Sequence, residues 1–333
     1  MNEINNLTLN SFTKIGKSGS FEVKSFESDS LLDDKNIENK PIKIKKKSVK
    51  KKTFDHPLSN TNSSKWKTYF DDIDLFEEID KDVRRTRTHM NFFFMPAKST
   101  KNFHNLKNDE ISDHAYKKRN DSGYFQDPKN KTPFETNADI MARILFIYGK
   151  KYPEVRYVQG MNEILAPILY CFSSDQNPYF YLHVEEDTYN CFETFMNEIK
   201  DIFIRSKDNT ETGIQTRLKN LMMIIKFFDR DLFNHLMNEK VELQYFAFRW
   251  YSLFFTQEFE MPDILRLWDS LLSEDKFEFM NMICTAIIKM KRQEILQNDF
   301  AGIMLTIQNF EMIEIENLIK YGLELRNEIN KHD

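Results

Sequence analysis

The scarcity of glycine and proline constrains this chain more than any other feature of its sequence. Only 8 glycines and 9 prolines occur in 333 residues, whereas hydrophobic residues make up 41% of the chain. Folds built on glycine-rich turns or glycine-rich loops need many more of these residues. The apolar residues recur instead at the spacing of helix faces, as in the stretches 66–83 and 138–150. The sequence therefore predicts an all-α fold.

The spacing of apolar residues predicts a series of helices between residues 66 and 328 and requires no strand. The expected limits are 66–86 (one helix or a pair), 138–150, 163–172, 187–203, 217–228, 243–256, 263–271, 276–291 and 311–328. Ile140, Ile144 and Ile147 are expected to share one face of the second helix. Residues 163–172 are almost wholly apolar, which indicates a helix buried on all sides. Because no fixed repeat period occurs, a helical solenoid is disfavoured.

The composition of the chain changes near residue 65. Residues 1–64 contain 12 lysines and 8 acidic residues, so they carry +4, and the rest of the chain carries −9 of the total charge of −5. An Asn/Ser-rich, lysine-rich composition predicts a disordered segment over 1–64. A single helical domain is expected over 65–333. It includes a polar loop or insertion at about 96–137, and loops of this length are usually functional or disordered.

The segment Lys43–Lys52 contains seven lysines in ten residues and no acidic residue, and it has three interpretations. It is a solvated tail, a weak contact with an anionic membrane worth about 1 kcal/mol per basic residue, or a nuclear-import signal. Binding of nucleic acid by the folded part is disfavoured by its charge of −9.

The sequence lacks the motifs of a nucleotide, metal or cofactor site of its own. Gly16–Ser20 imitates the end of a P-loop, but Ser11 stands where that motif requires glycine. The seven histidines and three cysteines do not occur at zinc-site spacing. Cys171, Cys191 and Cys284 are predicted to be buried thiols of a reducing compartment. Since no apolar run of about 18 residues and no signal peptide occur, a cytosolic protein is expected.

Two polar segments interrupt the apolar pattern, at 79–86 and at 156–167. In the first, IDKDVRRT, Asp82 and Arg85 lie three residues apart, close enough on a helix for the carboxylate to hold the guanidinium. An ordinary surface ion pair, contributing at most about 1 kcal/mol, explains the same spacing. The second segment, RYVQGMNEILAP, places polar residues in a turn between two apolar helices. Its Gln159 is either a solvent-facing residue or an amide held out for chemistry on another protein's substrate.

Together the two segments resemble the motifs of the TBC-domain family of Rab GTPase-activating proteins. The first fits Ile-x-x-Asp-x-x-Arg-Thr and the second fits Tyr-x-Gln-Gly. The matching residues are Ile79, Asp82, Arg85 and Thr86, then Tyr157, Gln159 and Gly160, followed by Met161 and Asn162. A third block also resembles the family, with Arg249-Trp250, Glu258-Phe259, Leu267 and Trp268-Asp269. The resemblance covers about 65–320 and looks strongest to the compact branch typified by the thirteenth human member.

The chain departs from the family pattern at three places. Arg87-Thr88-His89 follow Thr86 where the family often has a proline, and Arg156 stands where the family commonly has glycine. The polar stretch 96–137 is longer than in many members. These departures leave both motifs intact and bear on which GTPase fits.

The resemblance implies that the chain accelerates GTP hydrolysis by a Rab GTPase, with Arg85 and Gln159 as catalytic side chains supplied in trans. Five motif residues are expected to support them: Asp82, Thr86, Tyr157, Gly160 and Asn162. Arg84, one position off the motif, is expected to point elsewhere, and Trp250, Trp268 and the phenylalanines are expected in the core. The partner would bind GTP and Mg²⁺, so no cofactor is expected on this chain.

Membership of such a family implies a role in vesicle trafficking, in the cytoplasm and peripherally on endomembranes. Two alternatives remain at this point: a TBC fold that binds a Rab without catalysis, and a helical scaffold without a GTPase partner. The motifs do not identify the Rab, its membrane or the oligomeric state of the chain.

Overall fold

The computed structural model of this chain describes residues 56, 64–97, 135–175, 177, 182–310 and 313–331. In these ranges twelve α-helices follow one another. They are α1 (Lys65–Val83), α2 (Asn137–Lys151), α3 (Met161–Ser173), α4 (Val184–Ile199), α5 (Ile214–Phe228), α6 (Arg230–Asn238), α7 (Ala247–Leu253), α8 (Met261–Ser273), α9 (Lys276–Met290), α10 (Arg292–Gln297), α11 (Phe300–Gln308) and α12 (Ile315–Ile329). Short 3₁₀ turns lie at Asn91–Phe94, Lys200–Phe203, Arg205–Lys207 and Leu243–Tyr245. No strand occurs within the described ranges, which confirms the all-α prediction.

The predicted polar loop at 96–137 is closed at its base by main-chain contacts. Pro96 and Thr136 form an isolated antiparallel bridge, and the residues beside them hydrogen-bond across it with N–O distances of 2.8 and 3.2 Å. Residues 98–134 lie outside the described residues, and so does nearly all of the predicted disordered segment 1–64. The limits of the predicted domain therefore stay a prediction.

Most of the predicted helices are confirmed, with ends that differ by a few residues. Helix α6 was not predicted from the apolar spacing. Asp229 alone separates it from α5, and this residue caps α6 by accepting from Leu232 N at 2.9 Å. Helices α10 and α11, with six and nine residues, are too short for the spacing to identify. The predicted helix 243–256 is instead a 3₁₀ turn followed by α7, and α7 ends at Leu253 because Phe254 and Phe255 have φ of 50° and 60°.

Helix α3 lies at the centre of the fold and carries the second motif at its N-terminal end. Its residues from Met161 to Leu169 are all buried, which confirms the predicted burial on all sides for 163–169, whereas residues 170–172 are only half-buried. It packs against α1, α2, α4, α7 and α8. The buried apolar side chains of the described residues form one cluster that extends from Leu75 in α1 to Leu325 in α12. The ends of α1 and α3, which carry the two motifs, are therefore fixed by the same core.

Two predicted helix faces differ from the observed ones. In α2, Ile140 and Ile144 are buried, but Ile147 is 46% exposed and Tyr148 is buried in its place. Positions four residues apart stay on one helix face, so the row that continues from Ile144 by four residues is the one that faces the core. In the first half of α1, three aromatic residues at helical spacing are exposed: Trp66, Tyr69 and Phe70. This half of α1 extends beyond the core cluster, whose first residue is Leu75.

Other predictions about buried residues have mixed outcomes. Trp250 and Trp268 lie in the core, as predicted. The prediction that the phenylalanines are core residues is wrong for four of them among the described residues: Phe70, Phe227, Phe248 and Phe300. All three cysteines are free, and Cys284 is buried as predicted, whereas Cys171 and Cys191 are only half-buried. Desolvation raises the pKa of Cys171 and of Cys191 to about 12, so neither thiol ionises at neutral pH. None of the described helices has the length and apolar character that crossing a membrane requires.

Candidate functional site

The first motif lies at the C-terminal end of α1 and in the turns that follow it. Main-chain hydrogen bonds from Arg85 N to Asp82 O (3.0 Å) and from Thr86 N to Val83 O (3.1 Å) form these turns. Arg84 lies back along α1, where its Nε donates to Asp80 Oδ2 at 2.7 Å. The Arg85 side chain is exposed and has no ion pair or side-chain hydrogen bond with any described residue. The two adjacent arginines are thus separated, as predicted.

The predicted ion pair between Asp82 and Arg85 is wrong. The Asp82 carboxylate accepts a hydrogen bond from the Tyr157 hydroxyl, with 2.8 Å between Oδ2 and the hydroxyl oxygen. Spacing of three residues brings side chains together only while the helix continues, and α1 ends at Val83. The Arg85 side chain therefore projects from the turn after α1 and does not share a helix face with Asp82.

The second motif lies in the turn before α3, and its geometry depends on glycine. Gly160 is buried and precedes the first residue of α3, with a φ of 105°. This left-handed backbone conformation is readily available to glycine and strained for residues with a Cβ. A Cβ at this position would also lie 2.6 Å from Leu253 Cδ2. Gln159, one residue earlier, is exposed, so Gly160 is fixed in the fold while Gln159 faces outwards.

A hydrogen-bond network joins the two motifs, which are far apart in the sequence. Besides the contact between Tyr157 and Asp82, Asn162 Nδ2 donates to Thr86 Oγ1 at 2.9 Å. Thr86 Oγ1 in turn donates to the main-chain oxygen of Asp82 at 3.0 Å. Asn162 Oδ1 accepts from Gly160 N at 3.1 Å and lies 3.1 Å from the Tyr157 hydroxyl. The five predicted supporting residues therefore form one network that connects the turn of Arg85 to the turn of Gln159.

Burial raises the pKa of one group in this network and of one group beside it. Burial, followed by the hydrogen bond to Asp82, raises the pKa of Tyr157 well above its usual range. The hydroxyl therefore remains a donor at any physiological pH. Glu163, next in sequence to Asn162, is also buried, and burial raises the pKa of its carboxyl against the opposing attraction of Arg87.

An open cavity of about 720 Å³ lies beside the first motif. Arg85 and Arg87 line it together with Glu163 and Arg249, whereas Gln159 does not. The structure thus brings the two motif segments together through their supporting residues. Of the two predicted catalytic side chains, Arg85 faces the cavity and Gln159 does not line it.

Arg87 and the segment 254–260 belong to this site, although their role was not predicted from the sequence. Arg87 is buried and has a φ of 43°, and burial lowers the pKa of its guanidinium. In the segment, the buried Glu258 carboxylate accepts two hydrogen bonds from Arg249, at 2.6 and 3.0 Å. The departure from the family pattern directly after Thr86 was the only sequence signal for Arg87, because backbone conformation and long-range contacts leave no local pattern.

Replacing Gly160 with alanine is expected to lower the free energy of unfolding by about 1–3 kcal/mol, because a Cβ is strained at this positive φ. The Leu253 methyl group can move aside, so the backbone strain is the main cost. Urea denaturation followed by circular dichroism measures the change. Gly149→Ala in α2 is the matched control, since its Cβ would have only ordinary contacts of 3.4 Å or more. Equal stabilities of the two variants would contradict the strained turn.

Known proteins resemble this chain in sequence and in fold. The family model RabGAP-TBC, described as the Rab-GTPase-TBC domain, matches residues 98–296, a range that contains Gln159 and begins after Arg85. TBC1 domain family member 13 of Homo sapiens is 34% identical over 306 residues, which cover 82% of this chain and 75% of that protein. GTPase-activating protein GYP1 of Saccharomyces cerevisiae is 31% identical over 163 residues, which cover 44% of this chain and 25% of that protein. The crystal structure of the Ypt/Rab-GAP domain of Gyp1p superposes with a TM-score of 0.58 at 23% identity, covering 84% of this chain and 78% of that one, and it supports the fold. From its sequence and its fold, the chain belongs to the Rab-GTPase-TBC family.

Proposed function

We propose that this protein is a GTPase-activating protein for a Rab-family small GTPase. The observation that carries the proposal is the exposed Arg85 side chain, which has no partner among the described residues although Arg84 and Thr86 on either side are hydrogen-bonded. An arginine presented in this way is available to a second protein. Membership of the Rab-GTPase-TBC family and the similarity to the GTPase-activating protein GYP1 support the same function.

In the proposed reaction the GTPase supplies the phosphate-binding loop and Mg²⁺, and this chain supplies a cation that the GTPase lacks. Negative charge develops on the phosphate oxygens during hydrolysis, and a cation from outside the GTPase stabilises it. The planar guanidinium of Arg85 can donate to two phosphate oxygens at once. An arginine supplied in trans accelerates hydrolysis by roughly 10³ to 10⁵-fold.

Gln159 is proposed as the second catalytic side chain. Its amide can both donate and accept hydrogen bonds, as orienting an attacking water requires. We propose further that it takes the place of the GTPase's own catalytic glutamine. The fixed main chain of Gly160 and the network of Tyr157 and Asn162 would then hold the turn of Gln159 against the turn of Arg85.

Single-turnover GTP hydrolysis by a panel of purified Rabs, with and without this protein, tests the function. Acceleration of at least one Rab by about 10³-fold or more is the expected result. Binding of a Rab without acceleration would show a non-catalytic TBC module instead. Absence of both binding and acceleration across the panel would leave a helical scaffold.

We propose that the lysine-rich segment Lys43–Lys52, which lies outside the described residues, gives the protein a weak peripheral contact with anionic endomembranes. Removing residues 1–63 is then expected to lower activity on a Rab anchored to anionic liposomes and to leave activity on soluble Rab unchanged. Seven lysines at about 1 kcal/mol each set an upper limit to the binding free energy. Screening over a Debye length of about 8 Å at physiological salt reduces it.

The assay compares the full-length and shortened proteins at low and at physiological salt, with neutral liposomes as the control. A difference that is confined to anionic liposomes and decreases with salt supports the membrane contact. Equal activity of both proteins on anionic liposomes at low salt would leave the segment as a solvated tail or an import signal.

A further inference from the structure

A second arginine lies two residues beyond Arg85 and is held by a distant part of the chain. The Arg87 side chain is only 8% exposed. Its Nη2 donates to the main-chain oxygen of Thr256 and lies 3.4 Å from that of Phe259. Both acceptors belong to the segment 254–260 between α7 and α8. This contact joins the turn that carries Arg85 to a segment 169 residues further along the chain.

The segment that accepts these hydrogen bonds is itself fixed. Its first residue, Phe254, is buried and accepts a hydrogen bond from Trp268 Nε1 at 2.9 Å. Glu258 is held by Arg249 through two hydrogen bonds. The Thr256 carbonyl therefore belongs to an anchored part of the fold, and Arg87 is fixed by binding to it.

Several features of Arg87 are unfavourable for stability. Its φ of 43° lies in the left-handed region, which is uncommon for residues with a side chain. Its Nε is buried without a hydrogen-bond partner, and its guanidinium bonds to carbonyl oxygens rather than to a carboxylate. Burying a cation in this way has a desolvation cost, which lowers the pKa of the guanidinium more than the attraction of Glu163 and Glu260 raises it. A contribution to stability therefore does not explain why an arginine stands at this position.

The position of Arg87 beside Arg85 supplies that explanation. Thr86 binds Asn162 of α3, and Arg87 binds the segment 254–260, so the two residues after Arg85 are anchored in different directions. We propose that Arg87 is a positioning residue for Arg85, whose guanidinium holds the turn against the segment 254–260 and thereby sets the direction in which Arg85 leaves it. This inference rests on the proposed function, because it assigns a part in the same reaction.

Arg87→Met, which removes the donors and keeps an apolar side chain, tests the inference in the full-length protein. We expect kcat to fall by about 10 to 10²-fold, as a small misplacement of a catalytic group does, and KM to change by less than about threefold. The midpoint of thermal unfolding is expected to fall, because the Thr256 carbonyl and the buried Glu163 carboxyl both lose the guanidinium, so kcat is measured well below that midpoint. Arg87→Lys is expected to lose activity as well, because an ammonium lacks the planar fork of the guanidinium. Arg84→Met is the matched control and is expected to retain kcat, because Arg84, three residues before Arg87, is bound to Asp80.

A double variant separates positioning from general structural damage. If Arg87 acts through Arg85, adding Arg87→Met to Arg85→Ala leaves the residual rate unchanged, whereas loss of folded protein would lower it further. Unchanged kcat in Arg87→Met, or an equal loss in both backgrounds, would overturn the inference. If Arg87→Met does not fold, Arg87→Lys decides, and a wild-type kcat in that variant overturns it. Failure of the proposed function has a different signature, since no Rab would then respond to the wild-type protein or Arg85→Ala would respond as the wild type does.

Discussion

Replacing Arg85 with alanine is expected to lower kcat/KM toward the responsive Rab by at least about 10²-fold, because the transition state loses the charge supplied in trans. The fold is expected to remain intact. The Arg85 side chain is exposed and has no side-chain hydrogen bond with any described residue, so its removal should change the free energy of unfolding by less than about 0.5 kcal/mol. Single-turnover hydrolysis measures the first effect and thermal unfolding the second.

Arg84→Ala is the matched control for this prediction. Arg84 is the preceding residue and carries the same charge, but its guanidinium is bound to Asp80 along α1. Because Asp80 is buried, loss of this ion pair should cost more stability than the roughly 1 kcal/mol of a surface pair, but it should leave most of the activity. If Arg84→Ala lowers kcat/KM as much as Arg85→Ala does, the wrong arginine has been assigned to the reaction.

Gln159→Ala is expected to lower kcat/KM by at least about 10²-fold as well, without a loss of stability. The side chain is exposed, and the turn that carries it is held by Gly160 and Asn162 rather than by the amide of Gln159. Gln159→Glu is an informative companion, because it keeps the size and removes the amide donor. Both variants are compared with the wild type in the same single-turnover assay.

The stronger claim is that Gln159 replaces the catalytic glutamine of the GTPase. A Rab in which that glutamine is changed to leucine is then expected to respond to this protein almost as the wild-type Rab does. The same mutant Rab is expected to show no response to the Gln159→Ala variant. A mutant Rab that binds normally but is not accelerated by the wild-type protein would refute the replacement and leave Arg85 as the only catalytic side chain.

The sequence by itself determined those features of the protein that depend only on residues close together in the chain. The scarcity of glycine and proline and the helical spacing of apolar residues predicted the all-α class, because helix formation is a local property. The motif around Arg85 and the motif around Gln159 were recognisable for the same reason, since each is contained in eight residues or fewer. Gly160 was recognised as a residue of the second motif, and the structure adds its positive φ.

The tertiary structure alone decided which side chains meet. Asp82 was expected to hold Arg85, three residues away, but it binds Tyr157, 75 residues away. Arg87 binds Thr256 at a separation of 169 residues, and Ile147 is exposed although its spacing suggested a buried face. Such pairs depend on where helices end and how they pack, and many distant pairs are compatible with the same local pattern. The sequence therefore identified the residues of the site, and the packing of α1, α3 and the segment 254–260 determined how they are held.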